Sequence, residues 1–219
     1  ILWAAKTSGA EAIHPGYGFL SENASFAQAV VDAGLVWIGP SAEAIDKMGE
    51  KAEAKRLAQD SGVPLLPGFF SEEAPSKEIL GAEAQKVGFP LLLKATFGGG
   101  GRGIRLVENL DELPQAIERA MSEAKGAFGS GKLMIERYLP AARHIEVQIL
   151  GDKYGHVIHL FERECTIQRR RQKVIEEAPS PSISEELREQ MCQAAVQLAK
   201  QIWYEGAGTV EFLVQDDSF

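Results

Sequence analysis

Cysteine is scarce in this chain of 219 residues, which contains only Cys165 and Cys192. Two cysteines at this spacing form neither a disulfide framework nor a C-x-x-C metal or redox pair, and a reducing compartment suits them. Long apolar runs are also missing, because no uninterrupted stretch approaches the ~20 apolar residues that span a bilayer. We therefore expect no membrane association, and a location in the cytoplasm, or in the mitochondrial matrix if the source is eukaryotic.

Positive charge is in deficit, since 23 Lys and Arg residues stand against 31 Asp and Glu residues and the formal net charge is −8. We do not expect so acidic a chain to bind nucleic acid, although a local basic cluster can still meet a small anionic ligand. The hydrophobic content of 45% and the charged content of 25% are typical of one large globular domain or two small ones.

A glycine-rich loop is the most informative feature that the chain does have. A strand-like segment, residues 90–96, carries Lys94 into a loop that is almost free of side chains. The loop residues are Gly98, Gly99, Gly100, Gly101, Arg102 and Gly103. Without Cβ atoms, consecutive backbone N–H groups can converge on anionic oxygens, and the lysine would add a positive charge beside them. The pattern predicts a polyphosphate-binding loop, with a flexible hairpin tip as the alternative.

Other phosphate-binding patterns do not fit this loop. A dinucleotide-binding loop opens a helix, whereas residues 104–107 are a β-favouring run here. The Walker pattern closes with Gly-Lys-Ser/Thr, and a protein kinase carries its lysine after the loop instead of before it. The order that remains is strand, glycine loop, strand.

Turn and helix signals divide the chain into three regions. Residues 1–65 alternate short strands and helices, which predicts an open, largely parallel α/β sheet. Residues 66–138 predict an α+β lid, in which two helices cover a small antiparallel sheet and the glycine-rich residues 126–131 form a flexible connection. Residues 139–219 predict a β-hairpin, a long helix capped by Ser184 and a strand. Because the chain begins at Ile1 and ends at Phe219, where we expect a return strand, we interpret it as part of a longer protein.

Polar and apolar side chains alternate on the strand that begins at Arg143. A period of two puts His144, Glu146 and Gln148 on one face, which is either the wall of a site or the solvated side of an ordinary strand. Glu211 stands in an otherwise apolar strand. Magnesium bound to polyphosphate would give it a partner if it is buried, and an exposed glutamate is the alternative.

Four cations lie within residues 168–173, directly before the acidic pair Glu176 and Glu177. This segment fits a small anion or a phosphate group, and a solvated charged face is the alternative. No aromatic residues interleave with the charges, so nucleic acid is not expected. We expect His14, which precedes a proline in a tight turn, to be structural.

Taken together, these segments resemble the biotin carboxylase family. The matching motifs follow the family's order over almost the whole chain and are residues 14–23, 48–51, 94–103, 143–148, 162–165 and 168–179. The resemblance implies an ATP-grasp fold of α/β and α+β parts, preceded by the end of a Rossmann-like α/β domain. It also implies an ATP-dependent ligase, in which bicarbonate attacks the γ-phosphate of ATP to give carboxyphosphate, whose carbon dioxide passes to biotin.

The resemblance also implies roles for residues in matching motifs. Lys51 and Lys94 would contact the ATP phosphates, and residues 98–103 would close over them. Glu136, with the backbone near Tyr138 and Leu139, would receive the adenine.

The resemblance places His144 and Gln168 at the ribose and makes Glu211 a ligand of Mg²⁺ or Mn²⁺. Lys173 would lie at the bicarbonate and γ-phosphate end, with Glu146 nearby.

Tyr17 and Gly18 would border the biotin pocket. Two positions depart from the family pattern: Arg171 stands where many members have histidine, and Phe97 where many have a small residue. Arginine cannot accept a hydrogen bond, so Arg171 could keep a phosphate contact but not a ribose contact that needs an acceptor.

The partners that the resemblance implies are a biotin carboxyl carrier protein or domain, a carboxyltransferase subunit and a second copy of the full-length domain. The family's later catalytic motifs would follow Phe219, so we expect the chain as given to be inactive. Two rival interpretations stay open: another ATP-grasp ligase, such as a carbamoyl-phosphate synthetase or an amino-acid ligase, and a nucleotide-binding module without turnover.

Overall fold

The computed structural model describes residues 1–71, 73–96, 103–170 and 172–219, apart from the side chain of Phe128. Its first part alternates helices and short strands. The elements are α1 (Leu2–Ser8), β1 (Ala12–Ile13), α2 (Ala24–Asp32), β2 (Val36–Trp37) and α3 (Ala42–Gly49). Strands β1 and β2 pair in parallel, as predicted for this part of the chain. The side chain of Asn23 caps α2 by accepting the N–H of Phe26 at 2.7 Å.

The second part is a four-stranded antiparallel sheet covered by two helices. Its elements are α4 (Lys51–Asp60), β3 (Gly68–Phe69), α5 (Lys77–Val87), β4 (Leu91–Ala95), β5 (Ile104–Val107), α6 (Leu113–Phe128) and β6 (Leu133–Arg137). The strand order is β3-β6-β4-β5. Helices α5 and α6 bury Leu80 and Ile117 against Leu91, Leu93 and Ile135 of the sheet. The predicted arrangement of two helices on an antiparallel sheet is confirmed.

The third part is a three-stranded antiparallel sheet packed against one long helix. Its elements are β7 (Arg143–Gly151), β8 (Val157–Glu164), β9 (Gln168–Arg169), β10 (Gln172–Lys173), α7 (Glu185–Gln201) and β11 (Gly206–Val214). The sheet order is β11-β7-β8, and β9 pairs with β10. Ile145, Val147 and Ile149 face α7 in the core, so the predicted alternation along this strand is confirmed.

One prediction about this architecture was wrong. Residues 126–131 were expected to form a flexible connection, but α6 continues through Gly126 to Phe128, so the connection to β6 is confined to residues 129–132. Burial of Ile117 and Ala124 on the inner face of α6 favours the helix by more than one glycine disfavours it. Gly129 has a φ of 74°, the left-handed conformation that commonly ends a helix.

Helix α4 lies where the parts of the chain meet. Ala58 of α4 and the following Val63 belong to the same hydrophobic core as α7 and the β11-β7-β8 sheet, although both precede the predicted boundary after residue 65. That boundary stays a prediction. Because the first residue of α4 is Lys51, the helix also carries a candidate phosphate ligand to this junction. Within the described residues, no helix is both long and apolar enough to cross a membrane.

Candidate functional site

Three lysines lie near one buried carboxylate where α4 meets β4 and β6, and two of them contact it. Lys51 and Lys55 are four residues apart in α4, so they lie on the same side of the helix. Leu92 of β4 pairs with Glu136 of β6, and Lys94, two residues further along, therefore projects from the same face of the sheet as Glu136. One oxygen of Glu136 lies 2.6 Å from Nζ of Lys55, and the other binds Nζ of Lys94. We call these three lysines and Glu136 the lysine cluster.

Backbone contacts hold Lys51 at the base of the glycine-rich loop. Its Nζ donates a hydrogen bond to the carbonyl of Ala95 at 3.1 Å, and its backbone N–H donates to the carbonyl of Thr96 at 3.4 Å. Ala95 is the last residue of β4, and Thr96 follows it. The start of α4 is therefore fastened to the point where the loop leaves the sheet.

The lysine cluster carries more positive than negative charge, because it contains three lysines and one carboxylate. Glu136 is only 4% exposed. Burial disfavours its ionised form, but Lys94 and Lys55 outweigh burial and lower the pKa of Glu136. Burial and the nearby charge of Lys94 lower the pKa of Lys51, against the opposing effect of Glu136. A further anion would relieve this excess of positive charge, so the lysine cluster suits phosphate oxygens.

Hydrogen bonds close the base of the glycine-rich loop. The N–H of Ala95 donates to the carbonyl of Gly103 at 3.0 Å, and Lys94 pairs with Ile104 across the hairpin. Gly103 has a φ of 70°, in the left-handed region that glycine adopts readily. The predicted order of strand, loop and strand is confirmed. The candidate residues Gly98, Gly99, Gly100, Gly101 and Arg102 lie outside the described residues.

Two carboxylates face each other on the β11-β7-β8 sheet. Glu211 of β11 pairs directly with Glu146 of β7, so their side chains lie on the same face. Lys173, the last residue of β10, reaches between them: its Nζ binds one oxygen of Glu146 and lies 2.6 Å from Oε1 of Glu211. The other oxygen of Glu146 lies 2.5 Å from Nε of Arg163. We call Glu146, Lys173 and Glu211 the carboxylate cluster.

The carboxylate cluster keeps Lys173 charged. Burial disfavours the ammonium form, but hydrogen bonds and charge from Glu146 and Glu211 outweigh burial and raise the pKa of Lys173. Glu146 is 2% exposed, whereas the side chain of Glu211 is 57% exposed. Glu211 is therefore exposed, as the alternative interpretation expected, but it is not a solitary surface charge. Its open side leaves room for a further cationic ligand.

The donor atoms in the carboxylate cluster suit a hard divalent cation. One ligand atom each from Glu146, Glu211 and the neighbouring Cys165 lie within 4.8 Å of one another. Burial raises the pKa of Cys165 to about 11, so its thiol is protonated at neutral pH and is a poor metal ligand. The two carboxylates remain, and oxygen donors are those that Mg²⁺ and Mn²⁺ prefer. The residues present therefore fit the predicted cation.

His144 and Gln168 lie next to the carboxylate cluster. Burial lowers the pKa of His144, as does Lys173, while Glu211 opposes both. A neutral imidazole can donate one hydrogen bond and accept another, which suits a sugar hydroxyl. The side-chain nitrogen of Gln168 donates to the carbonyl of Cys165 at 3.0 Å. Arg171 lies outside the described residues.

Of the predicted adenine residues, Glu136 belongs to the lysine cluster, whereas Tyr138 and Leu139 lie apart from both clusters, as do the predicted biotin residues. The N–H of Tyr138 already donates to the carbonyl of Pro90 at 3.0 Å, and Leu139 lines a cleft beside β11. Tyr17 is 94% exposed, and Gly18 follows it with a φ of 77°. In the described part of the chain, the structure shows no hydrogen bond from Tyr17 or Gly18 to either cluster.

Two members of the site were given no role from the sequence, namely Lys55 and Arg163, although Arg163 lies within the matching motif at residues 162–165. The spacing of Lys55 from Lys51, one helical turn, was a usable signal, because it places both ammonium groups on one side of α4. Arg163 lies directly opposite Glu146 across the β7–β8 pair, and this pairing follows from the hairpin register. Each residue contributes one salt bridge to a buried glutamate.

Two family descriptions match this chain. The one described as the carbamoyl-phosphate synthase L chain, ATP binding domain, matches residues 50–219, and the one described as the biotin carboxylase N-terminal domain matches residues 1–45. The chain is 49% identical over 218 residues to methylcrotonoyl-CoA carboxylase subunit alpha, mitochondrial, of Dictyostelium discoideum, and 50% identical over 221 residues to pyruvate carboxylase of Bacillus subtilis (strain 168). Both alignments include 100% of this chain, which spans 31% and 19% of the two proteins.

Solved structures are similar over the whole length of the chain. Biotin carboxylase from Campylobacter jejuni in complex with beta-gamma-ATP superposes with a TM-score of 0.93 at 46% identity, over 100% of this chain and 49% of that one. The biotin carboxylase domain dimer of 2-oxoglutarate carboxylase from Hydrogenobacter thermophilus holds MgADP, ADP and bicarbonate. It superposes with a TM-score of 0.89 at 48% identity, over 97% of this chain and 47% of that one. The predicted ATP-grasp fold, preceded by the end of an N-terminal domain, is confirmed.

Proposed function

Because this chain belongs to the family of carbamoyl-phosphate synthase L chain ATP-binding domains, and within it to the biotin carboxylases, we propose that it supplies the ATP site of an enzyme that carboxylates biotin on a carrier protein. In this reaction a bicarbonate oxygen attacks the γ-phosphorus of ATP, the bond to ADP breaks, and carboxyphosphate forms. Carboxyphosphate then splits into inorganic phosphate and carbon dioxide, and the carbon dioxide bonds to the ureido nitrogen of biotin, which loses its proton to the released phosphate. The observation that carries this proposal is the excess of lysine charge at the base of the glycine-rich loop.

The lysine cluster would bind the phosphates of ATP. Phosphoryl transfer depends mainly on positioning the reactants and on neutralising the charge that develops on phosphate oxygens. Lys51 and Lys94 both adjoin the loop base and would provide two such charges. Residues 98–103 would close over the phosphates and donate backbone hydrogen bonds. Glu136 and the backbone near Tyr138 and Leu139 would receive the adenine.

The carboxylate cluster would hold the reacting end of the nucleotide. Lys173 stays protonated, so it can bind bicarbonate and steady the γ-phosphate during attack. Glu146 orients Lys173 from the buried side, and Arg163 keeps Glu146 in place. His144 and Gln168 would contact the ribose, and Arg171 would contact a phosphate.

Magnesium or manganese would bind at Glu211, with Glu146 as the neighbouring carboxylate. When bound, the ion supplies positive charge that neutralises phosphate oxygens and fixes their orientation. The fit rests on the two carboxylates that face each other across β7 and β11 and on the open side of Glu211.

The partners that we propose follow from the same reaction. Biotin would enter beside Tyr17 and Gly18, attached to a carrier protein or domain, and a carboxyltransferase subunit would use the carboxylated product. A second copy of the full-length domain would complete a homodimer, as the domain of the Hydrogenobacter thermophilus enzyme is a dimer. We place the protein in the cytoplasm or, in a eukaryote, in the mitochondrial matrix.

Phosphate release by the full-length protein tests this function. We expect MgATP cleavage that requires bicarbonate and increases when free biotin is added. Lys94→Met should lower kcat/KM for ATP by roughly 100-fold, since it removes a charge from the phosphate site. Lys47→Met, which removes a half-buried lysine paired with the exposed Glu43 on α3, is the control and should leave the rate unchanged. ATP cleavage that ignores both bicarbonate and biotin would refute the proposal.

The match over residues 50–219 to a family described by carbamoyl-phosphate synthase favours a second candidate, another ATP-grasp ligase. Such an enzyme would share Lys51, Lys94 and the loop, but it would not need the Tyr17 turn. Ammonia, and not biotin, should then stimulate ATP cleavage in the presence of bicarbonate. Binding of ATP without any cleavage would instead indicate a nucleotide-binding module without turnover.

A further inference from the structure

We propose that Lys55 is a positioning residue, which neutralises the buried carboxylate of Glu136 so that Lys94 is free to bind the phosphates of ATP. The inference rests on the proposed function, because it takes a triphosphate as the ligand of the lysine cluster. It assigns a role to a residue that belongs to none of the motifs discussed above.

The geometry of Glu136 motivates the proposal. Each of its two oxygens has its own lysine, Lys55 at 2.6 Å on Oε1 and Lys94 on Oε2. The carboxylate is 4% exposed, so water cannot replace a lysine that leaves. The side chains of Lys55 and Lys94 are more open, at 29% and 20% exposed.

A single lysine partner could not both neutralise Glu136 and bind the phosphates of ATP. A buried carboxylate that loses its only cationic partner is strongly destabilised, so Glu136 with Lys94 alone would hold that lysine tightly. ATP would then have to break a buried ion pair in order to gain a phosphate contact. With Lys55 on the other oxygen, Glu136 keeps a partner when Lys94 turns toward the nucleotide.

The position of Lys55 along α4 separates its role from that of Lys51. Lys51 contacts the carbonyl of Ala95 at the base of the loop. Lys55 is one turn further along the helix, about 6 Å from Lys51 along the axis, on the side that leads away from the loop base. Lys55 therefore reaches Glu136, while Lys51 and Lys94 adjoin the loop.

Affinity for ATP and for adenosine, measured by calorimetry on the full-length protein, tests the proposal. Lys55→Met should weaken ATP binding about tenfold, which corresponds to about 1.4 kcal/mol. Adenosine has no phosphates to draw Lys94 away, so Glu136 keeps Lys94 as its partner and the affinity for adenosine should change by less than about twofold. Lys55→Arg retains the charge and should restore most of the ATP affinity. Lys47→Met is the control for loss of a lysine from a neighbouring helix.

A double-mutant cycle with Glu136→Gln distinguishes positioning from direct phosphate contact. If Lys55 acts through Glu136, removing the negative charge makes Lys55 dispensable, and Lys55→Met/Glu136→Gln should bind ATP as well as Glu136→Gln alone. If Lys55 instead touches phosphate, the double variant should still lose affinity about tenfold relative to Glu136→Gln, and this result would overturn the proposal.

Comparing the wild-type protein with Lys55→Met distinguishes an error in this inference from an error in the proposed function. Wild-type protein that binds no ATP would refute the function and the inference together. Wild-type protein that binds ATP, with Lys55→Met equal to it, would refute the inference alone. Equal weakening of ATP and adenosine binding would indicate a general structural defect and would also contradict the role given to Lys55.

Discussion

Glu164 is a buried carboxylate that neighbouring polar side chains hold in its ionised form. It is 5% exposed and accepts hydrogen bonds from Arg143 at 2.7 Å, Ser180 at 2.8 Å and Thr166 at 2.9 Å. Burial disfavours the charge, but these donors and Ser182 outweigh burial and lower the pKa from 4.5 to about 2. Folding therefore favours the ionised form of Glu164.

The lowered pKa predicts how stability depends on pH. A carboxyl whose pKa falls on folding stabilises the protein above its ordinary pKa of 4.5, and this contribution is lost as the pH falls toward about 2. Glu164→Gln should lower the free energy of unfolding at pH 7 by about 2 kcal/mol. The difference between wild type and variant should shrink as the pH falls through this window. Urea unfolding of the full-length protein from pH 7 to pH 2 measures it.

Glu11→Gln provides the comparison for Glu164→Gln, because Glu11 is exposed. It should leave the free energy of unfolding within about 0.5 kcal/mol of wild type. A deficit in Glu164→Gln that stays constant from pH 7 to pH 2 would show that its charge is not what stabilises the fold.

Among the elements, helix α7 supports the sheet that carries the carboxylate cluster. It buries Leu187, Met191 and Leu198 against β7 and β11, and its first turn is capped by Ser184, whose Oγ accepts the N–H of Leu187 at 3.1 Å. The predicted N-cap is confirmed. Because the cap satisfies a backbone donor at the start of the helix, its loss should destabilise α7 and the core that α7 forms with the sheet.

Ser184→Ala should lower the free energy of unfolding by about 1 kcal/mol, since alanine cannot accept the N–H of Leu187. Ser184→Asp keeps an acceptor and should stay within about 0.5 kcal/mol of wild type. Urea unfolding monitored by circular dichroism checks both variants. Equal losses for alanine and aspartate would contradict the role of the cap.

Local signals in the sequence predicted most helices and strands, but they did not predict the irregularity in the β7–β8 pairing. Caps such as Ser184 and Asn23 fix where helices begin, and alternation on β7 fixed which side chains enter the core. The pairing of β7 with β8 shifts between Val147 and Ile149, and Phe161 takes a φ of 59° there. Such a bulge depends on how two distant strands meet, so no short stretch of sequence predicts it.

The contacts of Lys55 and Glu136 could not be predicted for the same reason. The sequence indicated Lys51, Lys94 and Glu136 as nucleotide residues, and the structure brings all three together. What it adds is the partner of each charge, which depends on the packing of α4 against the β4–β6 pair. Local patterns carry no information on that packing.

At the scale of the whole molecule, a largely buried ion pair joins the residue before β6 to the residue before α4. Lys132, just before β6, binds Glu50, which precedes Lys51. Lys132 is 8% exposed, so its charge is largely removed from water. Together with the bond from the N–H of Lys51 to Thr96, this pair fixes α4 against the β4–β6 sheet.

Lys132→Met should lower the free energy of unfolding by about 2 kcal/mol, because it leaves Glu50 partly buried without this partner. Lys86→Met removes an exposed lysine that pairs with Glu83 and should cost less than about 0.5 kcal/mol. Denaturant unfolding of the full-length protein compares the two. Equal decreases in the free energy of unfolding would show that burial of the Lys132–Glu50 pair does not increase its contribution to stability.

The direct pairing of Glu146 with Glu211 restricts the order in which this sequence can change over time. Two acids opposite each other on adjacent strands repel, and Lys173 compensates for both. A lineage that replaces the lysine first passes through a less stable ancestor, whereas one that first neutralises the exposed Glu211 leaves Lys173 paired with Glu146. Substitutions at positions 146, 173 and 211 should therefore be correlated among related sequences.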